Sequence, residues 1–136
     1  MKIGVISMQN EKMERVRNDD YETIVFKVLL HQYGLLKRKI TFEADTFDRY
    51  IDKENIAPGY FADALHMMQD DYLIEGLTFG QAWGKDMVLT SDLENARITS
   101  MGIYHLTGDE TMIKLRERAY TTPGLASVLV KLVMPE

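Results

Sequence analysis

Apolar positions recur along this chain in two rhythms, one helical and one extended. From Tyr21, the residues Ile24, Val25, Val28, Leu29 and Gln32 follow the i, i+3, i+4, i+7 spacing of an amphipathic helix, and five of the six are apolar. Asp19 and Asp20 offer short side-chain oxygens for the free N–H groups of a first turn, and Gly34 offers a stop. The spacing predicts a helix over Asp19–Tyr33. A second helix is expected in "DTFDRYIDKEN", capped by Asp45 or Thr46, with Phe47, Tyr50 and Ile51 facing inward. A third is expected in "IAPGYFADALHMMQDDYL": Pro58 suits a first helical turn, and Phe61, Ala64, Leu65 and Met68 form its apolar stripe.

After Tyr72 the rhythm changes. "YLIEGLTF" and "DMVLT" are rich in β-branched and aromatic residues, and "GQAWGKD" between them carries two glycines, which reads as a β-hairpin. Thr99 then opens a helix in "SMGIYHL", and Asp109 or Thr107 opens another in "ETMIKLRERA". In "TTPGLASVLVKLVMPE", Thr122 before Pro123 signals a helix start, with Leu125, Val128, Leu129 and Leu132 on one face. The β-branched content of Val128–Val133 leaves a strand as the alternative. "KIGVIS" near the N-terminus reads as a strand or extended arm.

Three helices, a hairpin and further helices follow the order of a winged helix-turn-helix, an α+β fold whose third helix is the reader and whose hairpin is the wing. On this reading residues 1–18 are an arm, 19–119 the winged-helix domain, and 120–136 an apolar tail that is a candidate dimerisation element. The chain also resembles the YjcQ family of small bacterial and phage-associated winged-helix proteins. The residues carrying the resemblance are "YETIVFKVL", "FADALHMMQDDYLIEGLTF" and "ITSMGIYHLTGDETMIKLRERA", within about Asp20–Ala119. The last includes the Ile-Thr-x-x-Gly-x-x-x-Leu pattern with which such domains leave the wing. The resemblance implies a DNA-linked regulatory role of phage or mobile-element origin, inferred in that family largely from its fold; the tail from Thr121 lies outside it.

Composition narrows the chemistry. A chain of 136 residues with 46% hydrophobic residues suits one folded domain. It has no cysteine, so neither a disulfide framework nor a thiolate metal site is available. No leader pattern and no run near ~20 apolar residues is present, so a cytoplasmic protein without a membrane span is expected. The net charge of −5 is unevenly spread. Ile40–Asn95 holds twelve Asp/Glu against Arg49, Lys53 and Lys85, a balance of −9, whereas the rest of the chain stands at +4. Basic residues gather at Lys12, Arg15 and Arg17, at Lys37, Arg38 and Lys39, and at Lys114, Arg116 and Arg118. His66 and Asp70 share a helix face, but no third ligand is evident beside them, and His31 and His105 are expected on helix surfaces or half-buried. Gly76, Gly80 and Gly84 recur every fourth residue, yet Asp86 follows where a phosphate loop needs Ser or Thr. No catalytic motif emerges; a non-enzyme without cofactor or metal is expected.

Two functions remain. A DNA-binding transcriptional regulator, acting as a homodimer on double-stranded DNA, follows from the fold order, but the third helix carries Asp63, Asp70 and Asp71 and no Lys or Arg. A protein-interaction winged helix that leaves DNA alone follows from that acidity. The candidate contact residues for DNA or a protein partner are Tyr60, Asp63, His66 and Met67 on the third helix, Trp83 and Lys85 near the wing tip, and Arg49 and Lys53 on the second helix.

Overall fold

A computed structural model describes residues 20–82, 84 and 86–135, an α+β arrangement of six helices and two small antiparallel sheets among them. The helices are α1 (Tyr21–Leu36), α2 (Ala44–Ile51), α3 (Pro58–Asp70), α4 (Ser100–Gly108), α5 (Glu110–Thr121) and α6 (Leu125–Val133). Between α3 and α4 lie β1 (Ile74–Glu75), β2 (Phe79–Gln81), β3 (Met87–Leu89) and β4 (Arg97–Ile98). The expected N-terminal arm, Trp83 and Lys85 lie outside the described residues.

Helix α1 is the axis of the molecule. Ile24, Val25, Val28 and Leu29 are buried as the stripe requires, and so are Phe26, Leu30, His31 and Gln32 beyond it. A helix packed on by each of α2–α6 is apolar on more than one face. His31, expected at or near the surface, is in fact 5% exposed. Its ring packs edge-on against Phe47, with centroids 4.8 Å apart, and lies close to Phe42 and Tyr50.

Gly34 does not stop α1. A Cβ there would meet Val133 Cγ2 at 2.9 Å and Ile40 Cδ1 at 3.1 Å, so the glycine marks the close approach of α6 and the α1–α2 loop. The stop comes at Arg38, whose φ of 61° turns the chain left-handed. Lys39 N–H then donates to Gly34 O and Arg38 N–H to Leu35 O, closing the helix carbonyls in a Schellman pattern. Tyr72 (φ 62°) ends α3 in the same way, with Leu73 N–H on Met68 O and Tyr72 N–H on Gln69 O. Helix α2 ends sooner than expected because Asp52 adopts φ 61°, after which Lys53–Asn55 forms a single 3-10 turn. Its cap is Glu43 rather than Asp45 or Thr46: the Glu43 carboxylate accepts from the Thr46 N–H at 2.7 Å and from the Thr46 hydroxyl.

The hairpin is built in two rungs. The outer rung, β2 with β3, pairs Phe79 with Leu89 and Gln81 with Met87, and Ala82 N–H donates to Asp86 O beyond it. The inner rung, β1 with β4, pairs Ile74 with Ile98 and Glu75 with Arg97. Between the rungs Gly76 sits at φ 98°, against the Asn95 carbonyl, where a Cβ would overlap the oxygen. Thr99 leaves β4 and caps α4, accepting from Gly102 N–H at 3.0 Å while its hydroxyl donates to Tyr72 O. Asp109 caps α5 through hydrogen bonds from Thr111 and Met112.

The tail is helical, but its start differs from expectation, and Leu129 parts from the face it was expected to share with Leu125, Val128 and Leu132. Gly124 precedes the first turn in place of Thr122, and no side chain caps it. Ser127, Leu129, Val130 and Val133 are buried against α1 and α5, whereas Leu125, Val128 and Leu132 are exposed. Lys37 Nζ donates to Val133 O at 2.7 Å, tying the end of α6 to the end of α1. Helix α5 runs across residue 119, and α6 shares the core of the rest.

Candidate functional surface

The surface singled out by the sequence is assembled by α3 and the hairpin packed beside it. Phe61, Ala64, Leu65 and Met68 point into the core, each 5% exposed or less. That leaves Asp63, Met67 and Asp70 turned outward, and Met67 is 48% exposed. Tyr60 is half-buried against the core edge.

His66 is held within the molecule. Its ring meets Phe79 of β2 edge-on at 4.9 Å, and its Nδ1 lies 3.3 Å from the Asp70 carboxylate. It thus serves as a strut between α3 and the hairpin. A second strut is Gln69, which no sequence pattern singles out. Its Nε2 donates to Leu77 O at 2.9 Å and its Oε1 accepts from Leu77 N–H at 3.0 Å. Leu77 lies between β1 and β2, where no strand among the described residues faces it, and the amide satisfies both backbone groups. An i, i+8 pairing across a turn has no local signature, so only the fold reveals it.

Arg49 and Lys53 are exposed, on α2 and on the turn after it. Lys53 Nζ lies 3.9 Å from Asp48, an exposed pair of the kind that adds little stability. Arg49 lines an open cleft of about 550 Å³ with Lys27, Asp52 and Arg118, and no residue of α3 lines it. Within that cleft Lys27 Nζ donates to Tyr50 O at 3.2 Å and Tyr50 Oη donates to Lys27 O at 2.8 Å, a reciprocal clasp between α1 and α2. Burial lowers the Lys27 pKa against the pull of Asp52, and burial alone raises that of Tyr50. Trp83 and Lys85, assigned to the wing tip, are outside the described residues.

The structure therefore brings Asp63, His66, Met67 and Asp70 together, with Glu75 exposed on the adjoining strand, whereas Arg49 lines a cleft to which none of them contributes. Near the first turn of α1, burial raises the Tyr21 pKa, reinforced by the charge of Asp71. Among the described residues no helix is long and apolar enough to cross a membrane. The chain matches no family model, no curated protein and no solved structure.

Proposed function

We propose that this chain is a winged-helix interaction module without catalytic activity, which engages a protein partner through α3 and the hairpin rather than duplex DNA. The order α1–α2–α3–hairpin supports the winged-helix reading, with α3 in the place of the reader. The observation that carries the choice of partner is the outward face of α3. It presents Asp63 and Asp70 around the exposed Met67, with no cation on the helix. Carboxylates in that place repel phosphates, whereas an exposed methionine beside them suits a basic, partly apolar protein surface.

A regulator of double-stranded DNA is the second reading, and one observation favours it. Lys37, Arg38 and Lys39 are consecutive and exposed at the end of α1, so DNA contact would run through that turn. The homodimer rests on α6, where Leu125, Val128 and Leu132 are exposed at spacings of three and four. Such a seam packs against its own copy across a two-fold axis.

Backbone amide shifts on adding a mixed-sequence duplex at ~50 mM salt separate these readings. The proposal expects the amides of residues 58–70 and 79–81 to stay in place. Saturable shifts within those residues would overturn it, and shifts centred on Lys37–Lys39 would establish the second reading in its stead.

A further inference from the structure

Three metal-ligating side chains that the α3 surface does not use converge at the corner between α4 and α5. Glu22 stands in the first turn of α1, His105 in the last turn of α4, and Asp109 joins α4 to α5. One ligand atom from each lies within 4.8 Å of the other two. His105 and Asp109 are one helical turn apart, but Glu22 reaches them only because α1 packs on both α4 and α5. The cluster is therefore a product of the fold and not of local sequence.

The state of its histidine is a second observation. The ring of His31 shares a hydrogen bond with the Gln32 side chain, and that of His66 lies 3.3 Å from the Asp70 carboxylate. The side chain of the half-buried His105 has no hydrogen-bond, ion-pair or ring partner among the described residues, although two carboxylates stand around it. Asp109 is already oriented: its Oδ2 accepts from the N–H groups of Thr111 and Met112 at 3.0 and 3.2 Å, which leaves Oδ1 for a ligand. Such outer hydrogen bonds are what fix a ligating carboxylate in place.

We propose that Glu22, His105 and Asp109 bind a divalent transition-metal ion of the Zn2+ or Mn2+ type. One imidazole nitrogen and two carboxylate oxygens suit those ions, whereas Mg2+ and Ca2+ prefer all-oxygen sites. Two carboxylates also balance the charge of a dication. Three protein ligands leave a further position for water or for a donor from a partner. Closure around Zn2+, at about 2.0–2.2 Å from each atom, draws in the Glu22 carboxylate, the most exposed of the three. The ion ties the first turn of α1 to the α4–α5 corner.

Calorimetric titration of ZnCl2, and separately of MnCl2, into the untagged, chelator-treated full chain tests this. At a pH above the ordinary histidine value of ~6.5, one equivalent of ion binds saturably and raises the melting temperature. His105→Gln and Glu22→Gln each weaken binding at least ~10-fold and abolish the melting shift, whereas His66→Gln changes neither. Glu22 is exposed, so its replacement keeps the fold even where a change at His105 would not. Asp109 is left intact because it caps α5. Absence of saturable binding up to ~1 mM ion, or full binding by Glu22→Gln, would overturn the assignment.

Discussion

At Leu77 no strand among the described residues pairs with the backbone, and the Gln69 amide supplies both hydrogen bonds that such a strand would give. Replacing Gln69 by Leu strands a buried N–H and C=O, which costs about 1–3 kcal/mol. Chemical denaturation is expected to show that loss. An unchanged midpoint would contradict that role for Gln69. His31 carries a pH signature of its own. Burial lowers its pKa from the ordinary 6.5, more than the hydrogen bond to Gln32 raises it. The unfolded chain therefore binds a proton that the folded chain resists. The stability this confers is present above pH 6.5 and falls away as the pH drops through the lower folded value. The hydrogen bonds from Thr46 act in the same direction on Glu43, but only below its ordinary 4.5. Urea midpoints measured from pH ~7 down to ~5 should fall for the wild type and lie flatter for His31→Gln. Equal slopes for the two proteins would contradict a neutral, buried His31.

Among the elements, α6 separates two roles that the sequence alone merges. Leu129, Val130 and Val133 are part of the common core, and burying each is worth about 1.5–3 kcal/mol, against a total stability of about 5–15 kcal/mol. Truncation at Thr121 should therefore abolish or severely weaken cooperative unfolding as followed by circular dichroism. A truncated chain that melts like the full one would show that α6 is dispensable. Val128→Glu, at a position 64% exposed, should keep stability within ~0.5 kcal/mol and shift the light-scattering mass from dimer to monomer. A wild type that is already a monomer would remove the homodimer from the account. Much at this scale was legible beforehand. The stripes of α1, α2 and α3, Pro58 in a first turn, and the caps Thr99 and Asp109 are local patterns, and local patterns can be read. Hidden were the close approach of Val133 to Gly34, the left-handed Arg38 and Asp52, and the two-residue β1–β4 rung. Each depends on residues far apart in sequence or on a backbone angle that no residue type imposes. The inward face of α6 escaped for a related reason: with apolar residues around most of that helix, periodicity alone does not choose a side. The cluster of Glu22 with His105 and Asp109 was equally hidden, since its first member joins the others only through packing.

For the whole molecule the central matter is where charge lies relative to the α3–hairpin face. The acidic middle of the chain stays acidic on that face: Asp63 and Asp70 remain outward, and Arg49 is turned to the cleft. If those carboxylates are what exclude DNA, Asp63→Lys with Asp70→Lys should gain salt-sensitive duplex affinity without loss of fold. A double variant indifferent to DNA would show that shape, not charge, keeps it away. The most direct measurement is fluorescence anisotropy of a labelled mixed-sequence duplex against the wild-type chain, beginning at ~50 mM salt and rising to ~200 mM. No saturable binding is expected at any point in that series. Binding at the lowest salt that weakens steeply as salt rises would contradict it.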